Sequence, residues 1–179
     1  MVENSEKLNA HAIDLASKGE FPEAIACFMS ALHIDRDNYL LWYNLGVTYR
    51  DAGQMEAARK ALMAARNLNP YDVDVLETLA LVNYAQKRMD DAFLYSFEAL
   101  SLNNSSAYIW NNLGVFYFAE SDYEEAAEAF EQALSLYPHY IDALVNLRDT
   151  YKELGNTVGV EECKSRLKDL QCSGGVNNA

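Results

Sequence analysis

Residues 42–49 read Trp42-Tyr43-Asn44-Leu45-Gly46-Val47-Thr48-Tyr49, and residues 110–117 read Trp110-Asn111-Asn112-Leu113-Gly114-Val115-Phe116-Tyr117. The two tryptophans, the only two in the chain, are separated by twice 34 positions. The text stays in step beyond them. Ala58, Leu62, Ala65 and Pro70 follow the first run, and Ala126, Phe130, Ala133 and Pro138 follow the second. Self-similarity at a fixed period of this size marks a chain built from stacked supersecondary units.

With the phase set, further units appear on either side. Repeat one spans about 5–38, with Leu8, Ala12, Leu15, Gly19, Ala24, Phe28 and Ala31 in register. Repeat two spans 39–72, repeat three 73–106 and repeat four 107–140. Repeat five, 141–171, keeps Leu144, Leu147, Tyr151, Gly155 and Leu167 and then degrades into a charged second half that suits a terminal cap. The reading is therefore one domain over 1–171, with 172–179 as a disordered tail.

Each repeat predicts two short amphipathic helices, because apolar residues recur at intervals of three and four. Small residues fall where two helices cross closely: Gly46 with Ala58, Gly114 with Ala126, Ala12 with Ala24, Ala80 with Ala92. Gly19, Gly53 and Gly155 stand where a first helix ends, a place that favours a left-handed residue. Pro22 falls in the first turn of a second helix, where its missing N–H is tolerated. Repeat three departs from the others, with Lys87 in the glycine place and with Asn83 and Ser96 at core positions. Two buried polar side chains call for a mutual hydrogen bond, and repeat three is expected to be the loosest internal repeat.

The quoted runs resemble the tetratricopeptide-repeat (TPR) signature W-x2-L-G-x2-Y, A-x3-F, P over 34 residues. The second run meets every position and the first differs in having Leu62 for Phe. The resemblance implies an all-α, right-handed solenoid of about five helix-turn-helix units. It also implies a concave groove lined by the first helix of each repeat, where an extended peptide or partner segment is held. Carried onto this chain, the groove residues are Leu40, Tyr43, Asn44 and Val47, then Thr78 and Leu81, then Tyr108, Asn112 and Val115, then Asn146. Asn44, Thr78, Asn112 and Asn146 occupy one repeat position, at which peptide-binding members carry an asparagine ladder. An amide side chain offers a donor and an acceptor to a peptide backbone; the alternative is that it bonds the neighbouring repeat. The basic clamp that some members use for a C-terminal carboxylate is not supported, since those positions hold Glu6, Leu40, Asp74, Tyr108 and Asp142.

Charge narrows the partner. The chain has 14 Lys and Arg against 27 Asp and Glu, a net of −13. Nucleic acid needs a basic surface to displace its counterions, and anionic membranes repel such a protein. The expected partner is a protein or peptide, neutral to basic, with apolar anchors. The run Glu120, Asp122, Glu124, Glu125, Glu128, Glu131 reads as a solvated helix face whose first turn favours acids. Cys27, Cys163 and Cys172 form no metal pattern with His11, His33 or His139, and Cys27 reads as a small buried hydrophobe. His11 falls at a core-facing position. Nucleophile, phosphate-loop and metalloprotease motifs are missing, so neither catalysis nor a cofactor is expected. No run is long and apolar enough to span a membrane and no secretion signal is visible, which makes the cytoplasm the default address, although a removed leader or anchor would leave the same text. The expected function is an adaptor or chaperone-like scaffold working through the groove. The alternative is a scaffold that homo-oligomerises through an apolar face of its terminal repeats.

Overall fold

A computed structural model describes residues 4–174. Among them are ten α-helices and no strand. The helices are α1 (Ser5–Ser17), α2 (Phe21–Ile34), α3 (Tyr39–Asp51), α4 (Met55–Leu68), α5 (Val73–Ala85), α6 (Met89–Leu102), α7 (Ala107–Glu120), α8 (Tyr123–Leu136), α9 (Ile141–Glu153) and α10 (Thr157–Gly174). Each repeat is thus one odd-numbered and one even-numbered helix. The chain divides into two compact units, one ending at Leu102 and the other beginning at Asn103. In the first, α1 to α5 pack in sequence and α6 packs on α5; in the second, α7 to α10 do the same. Helix α10 runs to Gly174, so Cys172–Gly174, expected in the tail, are helical. The rest of that tail, 175–179, lies outside the described residues.

Local chemistry repeats with the period. Asn4, Asn38, Asp72 and Ser106 cap α1, α3, α5 and α7 by accepting a backbone N–H from the first turn of the helix. The fifth cap position holds Tyr140, which has no such bond. Trp42 donates its indole N–H to the Arg36 carbonyl at 2.9 Å, and Trp110 donates to the Asn104 carbonyl at 3.3 Å. Both tryptophans therefore pin the turn that precedes their own helix.

Five turns join the two helices of a repeat, and each passes through the left-handed region. Gly19, Gly53 and Gly155 have φ of 79°, 74° and 68°. Lys87 and Ser121 take the same conformation at 58° and 68°. The fold imposes that turn whether or not glycine is there, and an L-residue in it is strained by about 1–2 kcal/mol.

The core is built from the expected stripes. Ala12, Ala24, Phe28, Leu41, Leu45 and Ala61 form one cluster in the first unit. Ala126, Phe130, Ala133, Leu144, Leu147 and Cys163 form another in the second. The close approach at the two glycines is one turn further along than their spacing suggests. A Cβ on Gly46 would meet Leu62 Cγ at 2.6 Å, and one on Gly114 would meet the Phe130 ring at 2.5 Å. Gly46 and Gly114 thus make room for the large side chain at the repeat's A-x3-F position, while Ala58 and Ala126 lie fully buried beside it.

Three expectations are corrected. Asn83 and Ser96 are both buried, but Asn83 Nδ2 donates to the Leu79 carbonyl at 2.8 Å within its own helix, and Asn83 Oδ1 has no partner. An i to i−4 bond is always within reach of a helical Asn, so the local acceptor takes the place of the cross-helix one. His11 is exposed, as is Lys7, where the equivalent Leu41 and Leu45 are 2% and 1% exposed. The outer face of repeat one is therefore not apolar at these two positions. Cys27 is half-buried on the apolar cluster of the first unit rather than enclosed in it.

Candidate functional site

The first helices of the repeats carry every groove candidate. In the first unit, α3 supplies Leu40, Tyr43, Asn44 and Val47, and α5 supplies Thr78 and Leu81. Leu40 is 49% exposed, and Tyr43, Asn44, Val47 and Leu81 are half-buried. Ile13, at the Val47 position of α1, is 47% exposed. The face thus combines reachable apolar carbon with polar groups held in fixed places.

Those polar groups are held by a bond pattern that recurs from repeat to repeat. Asn44 Nδ2 donates to Asn9 Oδ1 at 3.0 Å, tying α3 to α1. In the second unit Asn146 Nδ2 donates to Asn111 Oδ1 at 3.1 Å, tying α9 to α7. Tyr43 on α3 neighbours Thr78 on α5 at the same offset of 35 residues. Thr78 is 5% exposed and its hydroxyl donates to the Asp74 carbonyl at 2.7 Å, so it has little surface to offer a ligand. Burial, with Asp74 and Asp72 adding to it, pushes the Tyr43 phenol above its ordinary value, so it stays protonated as a donor.

The ladder position consequently has two jobs on one side chain. The amide nitrogen of Asn44 or Asn146 serves the neighbouring helix, and the Oδ1 of each makes no hydrogen bond among the described residues. An amide oriented by its nitrogen presents its oxygen in a defined direction, and that oxygen can accept a backbone N–H. Asn9 was not singled out in the sequence, nor was Asn111 as the partner of Asn146. Their signal is there, one place earlier in the repeat and one repeat before each ladder asparagine.

In the second unit Tyr108 is 58% exposed, and Asn112 and Val115 are half-buried on α7. Tyr108 meets Tyr140 edge-on at 5.2 Å between ring centroids, and Tyr140 stacks on Tyr137 at 5.7 Å. The α9 side is ionic: Arg148 and Lys152 both pair with Asp149, at 3.0 and 2.6 Å. The hydrogen bond from Arg148 holds the Asp149 carboxyl below its usual range.

The acidic run from the end of α7 into α8 is exposed at Glu120, Asp122, Glu124, Glu125, Glu128 and Glu131, with Glu124 and Glu125 in the first turn of α8. From Met89 to Leu147 the chain contains no lysine or arginine. Among the described residues no group of His, Cys, Asp and Glu is arranged to hold a metal ion. No helix among them is long and apolar enough to cross a membrane.

Three repeat profiles match this geometry: "TPR repeat" over residues 14–51, and "Tetratricopeptide repeat" over 39–72 and again over 107–140. The chain belongs to the tetratricopeptide-repeat family. Among curated proteins, this TPR chain is 34% identical over 107 residues to the BBSome complex member BBS4 of Xenopus tropicalis, covering 60% of this chain and 20% of that one. It is 30% identical over 97 residues to the peroxisomal targeting signal receptor of Candida glabrata, covering 54% and 16%. The chain thus spans a fifth or less of the length of these relatives. Among solved structures, a MamA protein superposes with a TM-score of 0.85 at 24% identity, covering 100% and 98% of the two chains. YrrB, titled a TPR protein with an unusual peptide-binding site, superposes at 0.73 and 22% identity, covering 92% and 84%. At such identities these two likenesses establish the fold. TPR proteins generally mediate protein–protein interactions, and the fold is typically a non-catalytic interaction module.

Proposed function

We propose that the first-helix face of repeats one to three holds an extended segment of another polypeptide, and that the protein acts as an adaptor or chaperone-like scaffold. The observation that carries this reading is Asn44. Its nitrogen is fixed by Asn9 and its oxygen has no partner among the described residues, and it stands between the exposed Leu40 and the half-buried Val47. An extended chain needs backbone acceptors and donors at intervals, with apolar recesses between them for alternate side chains. Asn44 supplies the acceptor, and Leu40, Val47 and Leu81 supply the apolar surface. Glu6 and Asp74 on the neighbouring helices are exposed carboxylates that favour a partner carrying basic residues. The residues named above in repeats four and five offer the same chemistry in the second unit.

The test is selection of extended peptides from a displayed random library by the wild type, followed by affinity measurement on Leu40→Lys/Leu81→Lys and on Asn44→Ala. Peptides that lose at least tenfold in affinity on the first variant, with its circular dichroism unchanged, support the face as the binding surface. Peptides that bind all three proteins equally place the working surface elsewhere. Self-association through the terminal repeats is the weaker reading, because Lys7 and His11 put polar groups on the outer face of repeat one. A sedimentation coefficient that rises with protein concentration would revive it.

A further inference from the structure

The outer face of α6 is more apolar than those of α4 and α8 on either side of it in the sequence. Leu94 is 50% exposed and Phe97 is 49% exposed, and the Phe97 ring stacks on Phe93 at 6.3 Å. The residues 34 positions earlier, on α4, are Lys60 and Met63; those 34 positions later, on α8, are the exposed Glu128 and Glu131. Isolated exposed apolar side chains are ordinary on any protein surface. One such place recurs here without consequence: Leu102 ends its helix 44% exposed as Leu68 and Leu136 do at 42%. Leu94 and Phe97 are not of that kind. They adjoin on one helical face, where α4 has Lys60 beside Met63 and α8 has Glu128 beside Glu131, and together they make an apolar patch of the sort that marks an interaction surface.

The charge around the patch says what it fits. Helix α6 holds Asp90, Asp91 and Glu98 and no basic residue. Asp91 is taken by Arg88 at 3.2 Å and Glu98 by Arg66 at 2.9 Å. Asp90, one turn before Leu94, makes no ion pair among the described residues. The surface is therefore apolar with an open carboxylate at one end. A helix surface has no spare backbone groups for an added strand, because its N–H and C=O groups are bonded within the helix. It offers ridges and grooves that a second helix can mesh with. A second copy of this chain would set Asp90 against its own kind in a protein of net charge −13.

We propose that the α6 face formed by Asp90, Leu94 and Phe97 docks an amphipathic helix of a partner protein, its apolar stripe on Leu94 and Phe97 and a bordering Lys or Arg on Asp90. This surface is separate from the first-helix face, so an adaptor can hold an extended segment on one and a helix on the other.

The probe is a synthetic amphipathic peptide of roughly 18 residues, long enough to be helical, with leucines along one stripe and lysines beside it. Its controls are a scrambled peptide of the same composition and a copy with glutamate for lysine. Fluorescence anisotropy is measured on the wild type and on Leu94→Lys/Phe97→Glu, which keeps net charge constant and borrows residue types from the equivalent positions. The expected result is binding of the amphipathic peptide to wild type, weakened more than tenfold by the double substitution, with the scrambled and glutamate peptides weak throughout. Amide exchange on the wild type should slow within 89–101 when the peptide is present, a readout that survives even if the variant unfolds. Equal binding to the double variant, equal binding of the scrambled peptide, absence of binding, or protection that falls outside 89–101 would each overturn the proposal. So would a wild-type dimer that the double substitution dissociates, since the occupant would then be a second copy.

Discussion

Replacing Lys87 by glycine should stabilise the protein by roughly 0.5 kcal/mol. Lys87 sits at φ 58° in the turn between α5 and α6, where repeats one, two and five have glycine. An L-residue there is strained by about 1–2 kcal/mol, and glycine removes the strain. Against that stands the greater freedom of glycine in the unfolded chain, about 0.4–1 kcal/mol, and the loss of a cation near a helix C-terminus, about 0.3 kcal/mol. Nothing else is lost, since the exposed Lys87 side chain makes no hydrogen bond or ion pair among the described residues. With a urea slope of about 1–3 kcal/mol per molar, the midpoint should rise by a few tenths molar. Ser121→Gly, at φ 68° in the second unit, should give a similar gain, and the two should add because they share no partner. Gly53→Ala is the reverse experiment. A Cβ there meets nothing within 4 Å, so its loss of about 1 kcal/mol would report backbone strain less the unfolded-chain freedom that alanine removes, with no steric contribution. Repeat arrays can lose two-state behaviour, so the urea curve should be paired with amide exchange resolved by helix. A Lys87→Gly midpoint at or below wild type, alongside a destabilised Gly53→Ala, would refute the strain argument for this turn.

Further perturbations follow from the same structure. Gly114→Ala should destabilise by about 1–3 kcal/mol, because its Cβ would lie 2.5 Å from the Phe130 ring, and the loss should appear as a fall in the thermal midpoint. Asn83→Leu should gain about 1 kcal/mol by removing an amide whose oxygen is buried without a partner, and amide exchange over 73–102, expected to be faster than over 107–136, should slow in that variant. The Glu56 carboxyl is held at about 2 by hydrogen bonds from Arg59 and Gln86, against an ordinary 4.5. The native state therefore binds fewer protons than the unfolded chain between those values, and stability falls as pH drops from about 4.5 to 2. Glu56→Gln should lose less over that window in acid titrations followed by circular dichroism.

The sequence was legible wherever one residue type decides a backbone event. The aligned tryptophans, glycines and prolines gave the repeat, and the turn predicted at Gly19, Gly53 and Gly155 is left-handed in all three. Ser121 escaped notice because serine carries no signal for that conformation; its position in the repeat does, 34 places after Lys87. The site was legible in outline only. The family resemblance assigned Asn44 and Asn146 to the first-helix face, but it does not choose between rotamers, and so could not say that each amide nitrogen turns to the previous first helix. The same gap explains Asn83, whose own helix supplied an acceptor nearer than Ser96. Leu94 and Phe97 are apolar by type, and it is their exposure in the folded chain that shows they point outward.

The stretch from Met89 to Leu147 without lysine or arginine covers all of α6, α7 and α8. Trypsin therefore releases Met89–Arg148 as one long peptide, and any mass-spectrometric map of these helices needs a protease that cuts after acids or aromatics. Enzymes that attach ubiquitin, acetyl or methyl groups to lysine find no substrate there either. The lysines that bracket the stretch are Lys87, in a strained turn, and Lys152, at the end of α9. Control of this region by lysine modification must act through those two places.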